Sequence, residues 1–81
     1  MKIEILGPGC DKCYYARRLV ESVLKEMNVQ ADVRAITDMR EILDYAIMVT
    51  PAVIIDDEEV LVGRVPTREE VRRWIRQRLS G

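Results

Sequence analysis

The stretch "GPGCDKC", residues 7–13, holds both cysteines of an 81-residue chain, spaced C-x-x-C. A pair at this spacing can do three kinds of chemistry. It can supply half of a zinc clip, it can carry a soft metal ion between two thiolates, or it can cycle between dithiol and disulfide. The chain has no histidine, so a zinc site would have only two ligands and no imidazole base is available to activate a thiol. Only a dimer sharing both pairs could close a tetrahedral site. The soft-metal and redox readings both survive at this point.

The elements around the pair decide how it is presented. Lys2–Leu6 (KIEIL) alternates, with Ile3 and Ile5 on one face, and predicts a short strand that Gly7-Pro8-Gly9 terminates. From Cys13 the apolar positions run Cys13, Ala16, Val20, Val23, Leu24, Met27, a single stripe on a helix. The helix is therefore expected from about Cys10 or Asp11 to Met27, with Asn28 suited to a left-handed cap. Ala31–Ile36 alternates again as a strand. Asp38 followed by Glu41 is a capping-box pattern and opens a short helix over about Asp38–Ala46. Ala52–Asp56 and Glu59–Val62 predict a hairpin around an acidic turn near Asp57-Glu58, although that turn lacks a glycine. Pro66-Thr67-Arg68-Glu69-Glu70 is a second capping box, with Thr67 as N-cap, and Val71, Trp74, Ile75 and Leu79 mark the buried face of a closing helix.

The resulting order is β-α-β-α-β-β-α. The first β-α-β requires a parallel pair with a right-handed crossover, and the hairpin adds antiparallel strands, giving a four-stranded mixed sheet with helices on its faces. The whole chain, 1–81, is read as a single α/β domain, because a chain this short has no room for a second core. Hydrophobic residues make up 48% and charged residues 33%, which excludes a disordered chain, and the net charge of −1 provides no overall attraction to nucleic acid or an anionic membrane. No apolar run is long enough to span a bilayer and no leader precedes Lys2, so a cytoplasmic setting is the default expectation. There, paired cysteines more often work than staple.

In this frame the two cysteines are unequal. Cys10 falls at the start of the helix, where unpaired N–H groups and the positive end of the dipole favour a thiolate, while Cys13 lies one turn inward on the apolar stripe. Such asymmetry suits a nucleophile and a resolving thiol. Between them Lys12 favours the thiolate and Asp11 opposes it, so these two residues set the potential without revealing its sign. Farther along, Thr50-Pro51 precedes an apolar strand, and composition alone favours a trans proline punctuating a loop.

Together, Gly7-Pro8-Gly9-Cys10-x-Lys12-Cys13 after the first strand, Met48-Val49-Thr50-Pro51-Ala52, and Gly63-x-Val65-Pro66-Thr67 before the last helix resemble the thioredoxin-like superfamily. The resemblance is to its small, glutaredoxin-sized redox-active disulfide proteins of archaea and bacteria. It implies a thioredoxin-like fold and a thiol–disulfide oxidoreductase acting on protein disulfides. Cys10 would be the nucleophile and Cys13 the resolving thiol, and Thr50 would pair with substrate backbone beside a cis Pro51. It implies no cofactor beyond a reversible Cys10–Cys13 disulfide, a flavin-dependent disulfide reductase as electron donor, and a monomer.

The chain departs from the family's larger members. It has neither the tryptophan nor the inner proline of the thioredoxin motif Trp-Cys-Gly-Pro-Cys. The region where glutaredoxins hold glutathione reads Val62-Gly63-Arg64-Val65-Pro66. Glu4 stands six residues before Cys10, the offset at which thioredoxins bury a carboxylate, yet the alternation of the first strand fits an exposed Glu4 equally. The rival reading, a copper-type soft-metal domain, requires the order β-α-β-β-α-β and a methionine where Pro8 stands. A nucleic-acid module has less support. Arg68, Arg72, Arg73, Arg76 and Arg78 are interrupted by Glu69 and Glu70 and lack stacking aromatics, which describes a solvated helix face.

Overall fold

The structure, a computed structural model, describes residues 1–9, 11–47 and 49–79. Seven elements follow one another: β1 (Lys2–Leu6), α1 (Asp11–Glu26), β2 (Asp32–Ile36), α2 (Met39–Asp44), β3 (Ala52–Ile55), β4 (Glu58–Val62) and α3 (Arg68–Leu79). The four strands form one sheet in the order β2-β1-β3-β4, with β1 parallel to β2 and antiparallel to β3, and β3 antiparallel to β4. The order β-α-β-α-β-β-α and the mixed sheet match the sequence reading. They exclude the β-α-β-β-α-β arrangement that the soft-metal alternative needs.

The sheet separates two cores. Ile3 and Ile5 of β1 and Val53 and Ile55 of β3 pack against Ala16, Val20, Val23 and Leu24 of α1 and Val71, Trp74 and Ile75 of α3. On the opposite face Leu6, Ala52 and Ile54 pack with Ile42 of α2 and Ile47. The stripe read along α1 is the one that is buried, from Cys13 through Leu24. The helix closes as expected at Asn28 (φ 57), with Val29 N–H bonded to Leu24 O and Asn28 N–H to Lys25 O. That pair of bonds is a Schellman cap.

Three boundaries differ from the sequence expectation. The second helix stops at Asp44 because Ala46 takes a left-handed conformation (φ 59), which a helix cannot pass through. Asp38 lies outside it as the N-cap, its Oδ1 accepting from Arg40 N–H at 2.8 Å. The hairpin turn is Asp56–Asp57, both at positive φ (48 and 68), so β3 ends at Ile55 and β4 begins at Glu58. Aspartate tolerates that conformation, and β1 ties the turn down: Lys2 N–H donates to Asp56 Oδ1 (2.9 Å), and Lys2 Nζ bonds Asp57 Oδ1 (3.1 Å). Leu79, assigned above to the buried face, is 57% exposed at the C-terminal end of α3.

The second capping box forms as read. Thr67 N–H donates to Glu70 Oε1 (2.9 Å) and Glu70 N–H to Thr67 Oγ1 (3.2 Å). Arg64 completes it with a two-pronged contact to both Glu70 oxygens, each at 2.7 Å. Three of the five arginines of α3 form ion pairs with neighbouring elements, Arg68 and Arg72 with Glu26 of α1 and Arg78 with Glu58 of β4.

Glu70 gives this cap a pH dependence. The Arg64 guanidinium, and next the Thr67 N–H, hold its carboxyl down at about 2, against an ordinary value of 4.5. A folded value below the unfolded one means the contribution is complete above pH 4.5 and is lost as pH falls towards 2. Thermal melts between those limits are expected to show the wild-type protein losing stability, and Glu70→Gln losing less over the same interval. A variant whose acid dependence matched the wild type would show that the cap does not carry it.

Candidate functional site

The end of β1 and the start of α1 meet at one contact. The alternation that faces Ile3 and Ile5 towards α1 continues to Gly7, and Gly7 lies directly beneath Cys13. A β-carbon on Gly7 would fall 1.9 Å from Cys13 Sγ and 2.8 Å from its Cβ. It would also stand 3.8 Å from Thr50 Cβ, so the absence of a side chain at position 7 brings Cys13 and Thr50 to one place. Sequence reading treats Gly7 only as a breaker. The period-two extension of Ile3 and Ile5 is the signal that places it under the helix. Gly9 has a different role: its φ is +86, and nothing lies within 4 Å of a β-carbon built there.

Cys13 is 7% exposed, as its place on the apolar stripe requires. Asp11 and Lys12 are exposed in the first turn of α1, with Asp11 complementing the helix N-terminus. Cys10 lies outside the described residues. The Thr50–Pro51 bond is cis, which composition alone did not favour and the family resemblance implied. Thr50 is half-buried, Pro51 is buried, and the Pro51 carbonyl accepts from Gly63 N–H at 2.8 Å at the mouth of the hairpin. Pro51 precedes β3 and so removes no N–H from its ladder.

Beside Cys13 is a cleft of about 190 Å³, whose walls include Gly7, Tyr14, Arg17, Ala35 and Thr37. Tyr14 is largely exposed (57%) and Arg17 reaches Glu21 at 3.8 Å. The cleft thus offers an aromatic face and a cation next to a buried sulfur. Neither Tyr14 nor Arg17 stands out in the sequence, because both sit on the polar side of the α1 stripe. A broader groove of about 870 Å³ runs along α3, lined by Arg72, Arg73 and Arg76 among others, with neither cysteine in its walls.

Glu4 resolves the choice left open above, since it is buried (4% exposed). Tyr45, the C-cap of α2, donates its hydroxyl to Glu4 Oε2, and Lys2 Nζ stands 3.8 Å from Oε1. That hydrogen bond first, and burial second, push the Tyr45 hydroxyl up to about 12. Strand alternation, however, puts Glu4 on the α2 face of the sheet while Gly7 and Cys13 lie on the α1 face. The carboxylate is answered by a phenol across the sheet from the sulfur.

The two glycines predict different outcomes. Gly9→Ala is expected to cost about 1 kcal/mol through its backbone conformation alone. Gly7→Ala is expected to cost about 1–3 kcal/mol by overpacking, and also to change the alkylation rate of Cys13, because the new methyl displaces that sulfur. Denaturant unfolding with thiol-labelling kinetics checks both. Equal labelling rates for the two variants would contradict the contact.

The family model described as a thioredoxin domain matches residues 1–76. The chain is 34% identical to a thioredoxin of Methanocaldococcus jannaschii, over 98% of this chain and 91% of that protein. It is 32% identical to a thioredoxin of Methanothermobacter thermautotrophicus, over 90% and 95%. Among solved structures, thioredoxin 1 of Thermosipho africanus superposes with a TM-score of 0.66, covering 99% of this chain and 96% of that one at 21% identity, a likeness of fold. The order β-α-β-α-β-β-α, a buried cysteine in the first turn of the long helix near Thr50, and a cis Thr50–Pro51 bond thus accompany similarity to archaeal thioredoxins over nearly the whole chain, and the chain belongs to the thioredoxin family.

Proposed function

We propose that Cys10 and Cys13 are the working dithiol of this thioredoxin-like protein-disulfide oxidoreductase. The observation that carries the reading is Cys13, buried and packed on Gly7 near Thr50, whose bond to Pro51 is cis. A shielded thiol one turn into a helix is suited to resolving a bond formed by a neighbour nearer the helix start. Cys10 directly precedes Asp11, the first residue of α1, and backbone N–H groups at a helix start favour the thiolate.

The reaction runs in two exchanges. The Cys10 thiolate attacks one sulfur of a substrate disulfide, forming a mixed disulfide and expelling the other substrate sulfur as a thiolate. Cys13 then attacks the Cys10 sulfur, closing the Cys10–Cys13 disulfide and releasing the second substrate thiol. The substrate gains two electrons and two protons, and the protein is left oxidised. Substrate backbone pairs with Thr50 as an added strand, held there by Pro51. Asp11 and Lys12, both exposed, tune the potential. Restoring the dithiol requires an electron donor, for which a flavin-dependent disulfide reductase fits a reducing compartment such as the cytoplasm. The whole site resides in one chain, and no resident cofactor or metal enters the reaction.

Cys10→Ser is expected to reduce disulfide turnover to the uncatalysed background, and Cys13→Ser to accumulate a mixed disulfide visible by mass spectrometry as the protein plus its substrate. Alkylation of the reduced protein near neutral pH is expected to modify Cys10 first. Undiminished turnover in both variants, or preferential labelling of Cys13, would overturn the assignment. For the donor, a flavin-dependent disulfide reductase with a reduced nicotinamide is expected to support turnover where glutathione does not. The reverse result would place the protein with glutathione-driven relatives.

A further inference from the structure

The sheet has two open edges, β2 and β4, and they differ in what they offer. In β2, Asp32 N–H donates to Met1 O and Ile36 O accepts from Gly7 N–H, both at 2.9 Å. The even-numbered residues of β2 therefore turn their hydrogen-bonding groups towards β1, and the odd-numbered ones, Val33 and Ala35, turn theirs outward. Their side chains give the strand a half-buried Val33 and an exposed Ala35 on the α1 face, with Asp32 and Arg34 exposed on the other. In the single chain Arg34 reaches back along its own strand to Asp32, at 2.9 Å, with both side chains more than half exposed.

From this edge we propose that β2 pairs antiparallel with β2 of a second copy of this chain, centred on Val33, so that two sheets join into one. Only odd-numbered residues can form the hydrogen-bonded pairs, which limits the registers. Centring on Val33 sets Val33 against Val33 and Ala31 against Ala35, apolar against apolar. It also sets Asp32 of each copy opposite Arg34 of the other, in the close, non-hydrogen-bonded positions. Each neighbouring register is worse: centred on Arg34 it opposes the two arginines, and centred on Asp32 the two aspartates. Two-fold symmetry forms the favourable charge pair twice, exchanging an exposed contact within one strand for contacts across two. The other edge lacks this complementarity. The only charged residues of β4 are Glu58 and Glu59, so self-pairing there can form no opposite-charge pair, and the strand carries a register irregularity opposite Val53 and Ile54. Ala35 also lines the cleft beside Cys13, so the second copy's Ala31 comes to the rim of that cleft.

A single strand pair is a small interface, and the association is expected in the micromolar to millimolar range. Sedimentation of the reduced chain over rising concentration is expected to show a reversible dimer. Amide exchange at Val33 and Ala35 is expected to slow with concentration, while exchange along β4 does not. Arg34→Asp, which opposes acids to acids, is expected to weaken dimerisation at least roughly tenfold. Arg34→Asp combined with Asp32→Arg restores the cross-strand pairs and is expected to recover it. Circular dichroism and disulfide turnover report that each variant is folded. A mass that stays monomeric at about 1 mM chain would overturn the proposal. So would a dimer whose protection falls on β4, or one indifferent to the charge reversal.

Discussion

The site depends on a missing side chain. Gly7 ends β1 where the strand's α1-facing alternation would otherwise put a β-carbon into Cys13. With hydrogen in that place, the first turn of α1 settles onto the sheet and its sulfur comes beside Thr50. Any other residue would put a β-carbon within 1.9 Å of that sulfur and 2.8 Å of Cys13 Cβ, so the inner thiol or the start of α1 would have to shift. The close approach therefore joins stability to chemistry, since the contact that seats the long helix is the one that shields the inner thiol.

β1 carries both halves of that arrangement. Its odd positions face α1 and α3, and its even positions face α2, so one strand of five residues contributes to both cores. Among those even positions Glu4 is a buried acid, flanked by the partly exposed Lys2 and the apolar Leu6. Burying a carboxylate is costly unless partners answer it: Tyr45 donates to Oε2, while Oε1 has no hydrogen bond among the described residues and only the Lys2 ammonium at 3.8 Å. Tyr45 caps α2, and the chain beyond it leads through Ile47 to Thr50 and Pro51. Through Tyr45, Glu4 thus ties the C-cap of α2 to the sheet, on the face away from Cys13.

Most of the fold was legible because its signals are local and consistent. The α1 stripe, the two capping boxes and the alternation of β1 each specify one element, and their order leaves a single sheet topology. What the sequence hid has a common physical character. Ala46 at positive φ carries no propensity signal, so α2 is shorter than its pattern, and paired aspartates at positive φ do the work of the expected turn glycine. Of the site, the burial of Cys13 followed from periodicity. The Tyr45 partner of Glu4, and the meeting of Tyr14 and Arg17 with Ala35 and Thr37 around the cleft, are long-range contacts that no window of sequence contains, and the contact of Cys13 with Gly7, though only six residues apart, depends on how the helix seats on the sheet. The cis-proline belongs to the same class, since the isomer is selected by the fold around it and composition favoured the other form.

The edges of the sheet complete the argument about what one strand can be asked to do. A parallel edge strand such as β2 presents alternate backbone groups to solvent, and a protein must cover, charge or pair them. Here the charges on β2 are opposite in sign and two residues apart, which repels a strand in most registers and welcomes its own copy in one. The same pair of residues thus acts as protection against indiscriminate pairing and as a register key. That β4 carries adjacent acids instead gives the two edges different selectivity, and leaves the hairpin that frames Pro51 unpaired on its outer side. In a domain this small, an edge strand that borders the sulfur cleft is then also the one whose edge chemistry decides what the sheet will accept beside it.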